Sequence, residues 1–332
     1  MAFKSLSKSE KAYIQASLQS NSSLRGDGRS LQEYRTISLE TGVAPLANGS
    51  ARLNIGKNDA EAGGGTEILA AVKLEVEDIE HGERVDQGRV TCSVSCSPAA
   101  YPLASSGGLD DLQHDYSTFL DDILSHPSIT PANLGIVRGK KAWLLALDLV
   151  VLSDSGNVYD AMFMAARAAI WDTKVPRTRS VEYRAQKKQE GDMDVDEEKQ
   201  SGLDTRQVKA ATDFELEDYW DEGIPLVGRE AWPICVTLNL LSSLHFLDAT
   251  SQEEAATPLR LLLVYSVASK STPALQGMQL LGSGEVDVAQ IKKLIQDGEK
   301  HASQLLAAIN LKLRDEEVRL TDKARLKFAS VR

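Results

Sequence analysis

Cysteine is scarce in this chain, with three in 332 residues. That is too few, and of the wrong parity, for a disulfide scaffold. Two of the three sit in Val90-Thr91-Cys92-Ser93-Val94-Ser95-Cys96, where period-2 alternation places Cys92, Val94 and Cys96 on one face of a strand. Their Cα atoms would lie about 13 Å apart, beyond the reach of a disulfide or a shared tetrahedral metal, so both are expected as core thiols. Histidine is equally sparse. None of His81, His114, His126, His245 and His301 recurs at the i, i+3 or i, i+4 spacing that puts two ligands on one helix face, so no metal site and no cofactor are expected. No apolar run approaches the roughly 18 residues that cross a bilayer. Met1-Ala2-Phe3-Lys4 opens into polar sequence without a signal-peptide core, so a protein inside the cell with no membrane partner is expected. Also missing are a Gly-x-Ser-x-Gly elbow, a Gly-x-Gly-x-x-Gly turn after a strand and a His-Glu-x-x-His helix.

What is present suits a soluble globular chain: 42% apolar and 26% charged residues exclude collagen-like and wholly disordered readings. The net charge of -11 looks hostile to nucleic acid. Of the 48 acidic and 37 basic residues, however, 13 and 5 lie between Lys187 and Glu222. The rest of the surface is close to neutral, so the bulk charge says little about partners.

Along the chain, Ser7-Lys8-Ser9-Glu10 is a capping box that starts a short helix. Strands are expected over Tyr34 to Glu40, Ser50 to Ile55 and Glu67 to Val76, with Gly63-Gly64-Gly65 as a hairpin turn. Leu109 to Leu124 has apolar residues at helical spacing, with five aspartates largely on other faces. Trp143 to Leu152 reads as a strand buried on both faces. Asp154-Ser155-Gly156-Asn157 turns the chain into a helix over Ala161 to Trp171, capped by Asn157 or Asp160. Glu190 to Glu198 carries six acids and no base, so about 185–202 is expected to be a disordered insertion. Ile234 to Leu240, Leu259 to Ala268 and Ala274 to Leu281 read as strands. Asp287 caps a long amphipathic helix. Each half runs strands first and then a helix, as in two pseudo-duplicated α+β layers.

Several landmarks, in this order, resemble the RNase PH family of phosphate-dependent exoribonucleases. They are Arg25-Gly26-Asp27-Gly28-Arg29; Gly49-Ser50-Ala51-Arg52; Thr66-Glu67-Ile68-Leu69-Ala70-Ala71-Val72-Lys73; Asp154-Ser155-Gly156-Asn157 with Asp160-Ala161; and Leu247-Asp248-Ala249-Thr250 with Glu253-Glu254. The resemblance covers nearly the whole chain outside the acidic insertion, and within the family it points to ring subunits of the RNA exosome. It implies the RNase PH fold, with ribosomal protein S5 domain 2-like βαβ layers. The divisions it suggests are an N-terminal helix and arm over 1–30, a first half over 31–184, an acidic, partly disordered insertion over 185–222, and a second half with the C-terminal helix over 223–332.

Family chemistry needs a pocket for phosphate and a general acid. Active relatives have Gly, then Ser or Thr, then Arg in the turn after the central strand, where this chain reads Gly156-Asn157-Val158. Valine supplies neither charge nor donor, and each lost charge-assisted contact is worth about 1.5–3 kcal/mol. Asn157 reads instead as a plain helix cap. Active relatives also carry arginines on the helix matching Leu109 to Leu124, which here has no Arg or Lys. Glu253 and Glu254 match a carboxylate landmark beside Asp248, but Ala255 to Arg260 lacks the aspartate expected next. The pair is expected on a solvated turn. The resemblance therefore implies a non-catalytic subunit of a six-membered ring, with an active phosphate-dependent 3'-5' exoribonuclease as the alternative. Its implied partners are paralogous RNase PH-type ring subunits, S1/KH-domain cap subunits, RNA passing through the channel and a separate exosome nuclease. The implied locations are the nucleus, including the nucleolus, and the cytoplasm. Arg84 and Arg89, flanking the loop that points toward the central pore in ring-forming relatives, and Arg177 and Arg179 are candidate RNA-facing residues.

Overall fold

The computed structural model describes residues 6–20, 25–56, 64–79, 88–181, 213–216, 223–242, 244–267 and 273–330. Helix α1 (Lys8–Gln19) starts at the expected capping box. Ser7 Oγ accepts from the Glu10 N–H at 3.2 Å, and the Glu10 carboxylate accepts from the Ser7 N–H at 2.7 Å. Its buried Leu18 joins Phe246 and Ala249 in a small cluster apart from the main core, and Gln15 donates to the Ala256 carbonyl at 2.7 Å. The arm therefore docks on the second half of the chain.

Strands β1 (Ile37–Thr41), β2 (Gly49–Ile55), β3 (Thr66–Asp78), β4 (Arg89–Cys96), β5 (Gly135–Val137) and β6 (Lys141–Ser153) form one sheet in the order β1-β2-β3-β6-β4, with β5 added on β6. Only β4 and β6 are parallel, and the crossover between them carries α2 (Ser106–Leu124). Cys92, Val94 and Cys96 share the buried face of β4 as expected.

β6 departs from expectation. Leu145, Leu147, Leu149 and Val151 are buried, whereas Asp148 is exposed and Leu152 is 39% exposed. One face is open because α3 (Val158–Asp172) covers only the other. Helix α3 has 13 of its 15 residues buried, as a helix that is apolar nearly all round must. It lies between this sheet and the second-half sheet.

Beyond α3, β7 (Lys174–Val175) pairs with β10 (Ile224–Pro225), and β8 (Thr178–Val181) pairs with β9 (Asp213–Leu216). Strand β9 falls inside the region expected to be insertion. It is ordered because Phe214 packs edge-on against Trp143 at 6.1 Å and Lys141 pairs with Asp213 at 3.1 Å. The acidic run from 190 to 198 lies outside the described residues.

The second half is an antiparallel sheet of β11 (Ile234–Leu241), β12 (Leu244–Phe246), β13 (Arg260–Ser266) and β14 (Ala274–Leu281), in the order β12-β11-β13-β14. Between β12 and β13 sits the short helix α4 (Ser251–Ala256). Helix α5 (Val288–Ser330) follows Asp287, whose carboxylate accepts from the Ala289 N–H at 3.3 Å. It packs along β11 and β13 and reaches α3 and β1.

Candidate functional site

The turn after β6 meets α4 and the strap 25–35 at one buried cluster. Gly156 has φ +95° and a carbonyl that accepts from Thr66 Oγ1 at 2.5 Å. A Cβ there would lie 2.4 Å from the Ala249 carbonyl oxygen, so only glycine lets the two halves meet this closely. Asn157 stands at the N-cap of α3 in the left-handed region (φ 61°), but its side chain makes no cap hydrogen bond. This corrects the plain-cap reading. The amide Nδ2 donates instead to Asp248 Oδ1 at 3.0 Å, pulled across by the buried carboxylate. Val158 is buried at the first position of α3 and adds no polar group. Asp160, fully buried one turn into α3, accepts from Thr237 Oγ1 at 2.6 Å and from the Tyr34 hydroxyl at 3.1 Å. Burial raises its pKa to about 6 against the pull of those donors.

Asp248, also fully buried, is the hub. Besides Asn157 it accepts from the Arg35 backbone N–H (2.7 Å), Arg35 Nε (2.9 Å), Arg35 Nη2 (2.7 Å) and Arg29 Nη1 (2.9 Å). Burial alone would raise its pKa; the Arg35 hydrogen bonds and charge, with Arg29 behind them, outweigh burial and hold it below the usual carboxylate value. Arg35 also donates to the carbonyls of Ser155 and Gly156, each at 3.0 Å, and so ties the turn of the first half to Asp248 of the second.

Glu253 and Glu254 are not on a solvated turn, and the expectation fails for a local reason. Thr250-Ser251-Gln252-Glu253 is a second capping box, in which Glu253 accepts from the Thr250 N–H at 2.8 Å. The box turns Glu253 inward onto Arg25, which grips it in bidentate fashion at 2.9 and 2.7 Å while donating to the carbonyls of Leu247 and Asp248. Glu254 Oε1 accepts from the Asn157 backbone N–H at 2.8 Å and pairs with Arg260 Nη1 at 3.1 Å. Burial raises its pKa, Arg260 opposes that and Asp154 adds to it. Asp27 caps Arg29 at 2.6 Å.

Four guanidiniums, those of Arg25, Arg29, Arg35 and Arg260, thus meet the four carboxylates of Asp27, Asp248, Glu253 and Glu254. Each of these cations is spent on an internal partner. Nothing local in the sequence marks Arg35, whereas Thr250-Ser251-Gln252-Glu253 carries a capping-box signature.

The candidate RNA-facing residues that are described fall in different elements: Arg89 opens β4, Arg177 precedes β8 and Arg179 lies in it. Arg89 pairs with Glu77 across the sheet, and Arg84 lies outside the described residues. Arg177 and Arg179 are exposed, with Arg179 directly opposite Glu215 in the β8–β9 ribbon. Among the described residues no group of three or more His, Cys, Asp or Glu is placed to hold a metal ion.

The fold is that of an RNase PH domain. Residues 33–176 match the model of the 3' exoribonuclease family, domain 1, and this segment is an RNase PH family domain. Among curated relatives, the putative exosome complex exonuclease RRP42 of Dictyostelium discoideum is 26% identical over 337 residues, covering 87% of this chain and 92% of the relative. The exosome complex component Rrp42 of Thermoplasma volcanium is 35% identical over 175 residues, covering 52% of this chain and 63% of the relative. Among solved structures, a chain of the Archaeoglobus fulgidus exosome with RNA bound to the active site superposes with a TM-score of 0.63 at 21% identity, covering 89% of this chain and 96% of that one. Rice Rrp46 superposes with a TM-score of 0.55 at 16% identity, covering 87% and 100%. These likenesses establish the α+β RNase PH fold.

Proposed function

We propose that this chain is a non-catalytic structural subunit of an RNase PH-type ring in an RNA exosome. One observation carries the reading. The N-terminus of α3, where an RNase PH site needs open donors for phosphate, faces the carboxylate of Glu254, and the nearby arginines are all engaged by carboxylates of the chain itself. An incoming phosphate would have to displace a covalently tethered anion and then compete for guanidiniums that already have bidentate or multiple contacts. Val158 adds no donor, and α2 adds no cation. The names of the relatives, exosome components in organisms as distant as an amoeba and an archaeon, support membership of that complex.

In this role the chain pairs with paralogous ring subunits, supports S1/KH-domain cap subunits and walls a channel that leads RNA to a separate nuclease, in nucleus and cytoplasm. The test is to incubate the purified chain, alone and in its ring, with single-stranded RNA and inorganic phosphate. No nucleoside diphosphate is expected from this subunit. Release that vanishes on Asp248→Asn substitution would establish the rival, an active phosphorolytic exoribonuclease, the activity for which the Dictyostelium relative is named.

A further inference from the structure

We propose that the open face of the first sheet is a docking surface for a protein partner that presents apolar side chains around one basic residue, and that this residue seats on Asp148. The inference rests on the subunit reading above and deepens it, by giving the chemistry of one surface through which the chain is held.

A sheet covered on one face ordinarily turns polar residues to the other, where water lies. Helix α3 packs on one face of this sheet through β2 and β3. The opposite face stays apolar. There Leu69 on β3 stands directly opposite Val150 on β6, and Leu144, Ala146 and Leu152 continue the surface along β6. Leu69, Leu144 and Val150 are half-buried and Leu152 is exposed, so a contiguous apolar patch reaches solvent.

Asp148 lies in the middle of that patch. Its neighbours across the strands are two small residues, Ala71 on β3 and Ser93 on β4, so a long side chain can reach the carboxylate from above the sheet. Ser93 Oγ donates to Asp148 Oδ1 at 2.5 Å, and Oδ2 takes no hydrogen bond among the described residues.

Charge selects the occupant. The cations of this face already have partners: Arg52 pairs with Glu67, Lys73 with Glu75 at 2.6 Å, and Arg89 with Glu77. Lys73 also feels the charge of Asp148, but it is bonded to Glu75. Asp148 and Glu40, which stands opposite Arg52, remain in excess. A face with surplus negative charge repels RNA phosphates, and a second copy of it would set one Asp148 against another. A wholly apolar partner would bury the Asp148 carboxylate without a counter-charge, which is strongly unfavourable. A basic side chain meets every condition. Its methylene stem lies along Val150 and Ala146 while its head reaches Asp148, and an arginine fork fits best, since it can bond both carboxylate oxygens at once.

The experiment uses the full chain, free and co-expressed with its paralogous ring and cap subunits, carrying Ser95→Cys as a probe. Ser95 is exposed on β4 opposite Val150, whereas the native thiols of Cys92, Cys96 and Cys235 are buried. Maleimide labelling of the probe should be at least tenfold slower in the assembled complex than in the free chain. Asp148→Arg should restore fast labelling and weaken assembly at least tenfold without lowering the Tm of the chain itself, because the side chain it replaces is exposed. Asp148→Leu extends the apolar patch, yet it should also weaken assembly, since the partner's cation is then buried unpaired. Tighter assembly of Asp148→Leu would reveal a wholly apolar partner and overturn the proposal. Protection of the probe by single-stranded RNA alone, or by self-association that is lost on dilution, would overturn it equally. The two readings separate cleanly: a complex in which the probe stays reactive, or in which Asp148→Arg assembles unchanged, removes this surface alone, whereas a chain that joins no complex removes the subunit reading and this proposal with it.

Discussion

At Asp248, five hydrogen bonds converge on a carboxylate with no exposed surface, in a backbone conformation (φ 45°) that most residues avoid. Replacing it with asparagine keeps the shape but leaves Arg29 and Arg35 facing a neutral group in a dry site. Removing one partner of a buried pair costs about 3–5 kcal/mol. Asp248→Asn is therefore expected to lower the unfolding free energy by that amount, as read from a urea titration, and a loss under about 1 kcal/mol would show the cluster to be solvated. Asp160 has the opposite electrostatics. Its folded-state pKa of about 6 lies above the unfolded value, so its contribution to stability is fully present below about pH 4 and is lost as pH rises through about 6. At about 1.4 kcal/mol per pH unit the swing is on the order of 3 kcal/mol. Asp160→Asn removes the titration. The stability of the unmodified protein relative to this variant should fall between pH 4 and 7, and a difference that stays flat with pH would mean that Asp160 does not titrate there.

Among the elements, α2 shows what one of its aspartates, Asp121, does beside Gln113 and Ser117. Residues Gln113, Ser117 and Asp121 recur every fourth position and accept from the backbone N–H groups of Cys96, Val94 and Cys92, at 2.9, 2.9 and 2.8 Å. A helix ridge rising about 6 Å per four residues matches alternate residues of a strand, about 6.6 Å apart, so the helix caps the free edge of β4 with side-chain acceptors. The double variant Ser117→Ala, Asp121→Ala orphans two of these N–H groups. It should cost about 1–3 kcal/mol per group and speed amide exchange at Cys92 and Val94 above that of β3. Unchanged exchange at those two amides would show that α2 does not seal the edge.

Local patterns of this kind were legible in the sequence: both ends of β14, the Ser7 capping box and the Asp287 cap stand where the residues put them. What escaped was long-range. The apolar run of β6 resembles a strand buried on both faces, because Leu144, Val150 and Leu152 on its open face are as apolar as those on the covered one. The pairing of Arg35 with Asp248 spans 213 positions of chain and leaves no periodic trace.

At the scale of the whole molecule, one sheet edge is covered, and another is left open among the described residues. Strand β4 lies under α2, whereas β14 ends the second-half sheet with Leu275 40%, Met278 49% and Leu280 44% exposed. No charged residue occurs between Lys270 and Glu285. Natural edge strands carry lysine, proline or bulges against chance pairing; β14 has a register shift opposite Val264 and Tyr265 and Pro273 before it but no charge, so its exposed apolar side chains suit a partner's apolar face. In the proposed ring that partner is a neighbouring subunit. Met278→Lys places a charge on the edge where the side chain is half in solvent, so the cost within the chain should stay within about 0.5 kcal/mol. Association should suffer far more: co-expressed with its ring neighbour, the variant should bind at least tenfold more weakly. Because a partner that binds only the folded state stabilises it by mass action, the rise of Tm with partner concentration expected of the unmodified chain should flatten. Light scattering and melting on the co-purified pair decide the matter. A variant that assembles with unchanged affinity would place the ring contact elsewhere on the chain, and a monodisperse unmodified chain that ignores every paralogue would remove the structural-subunit reading itself.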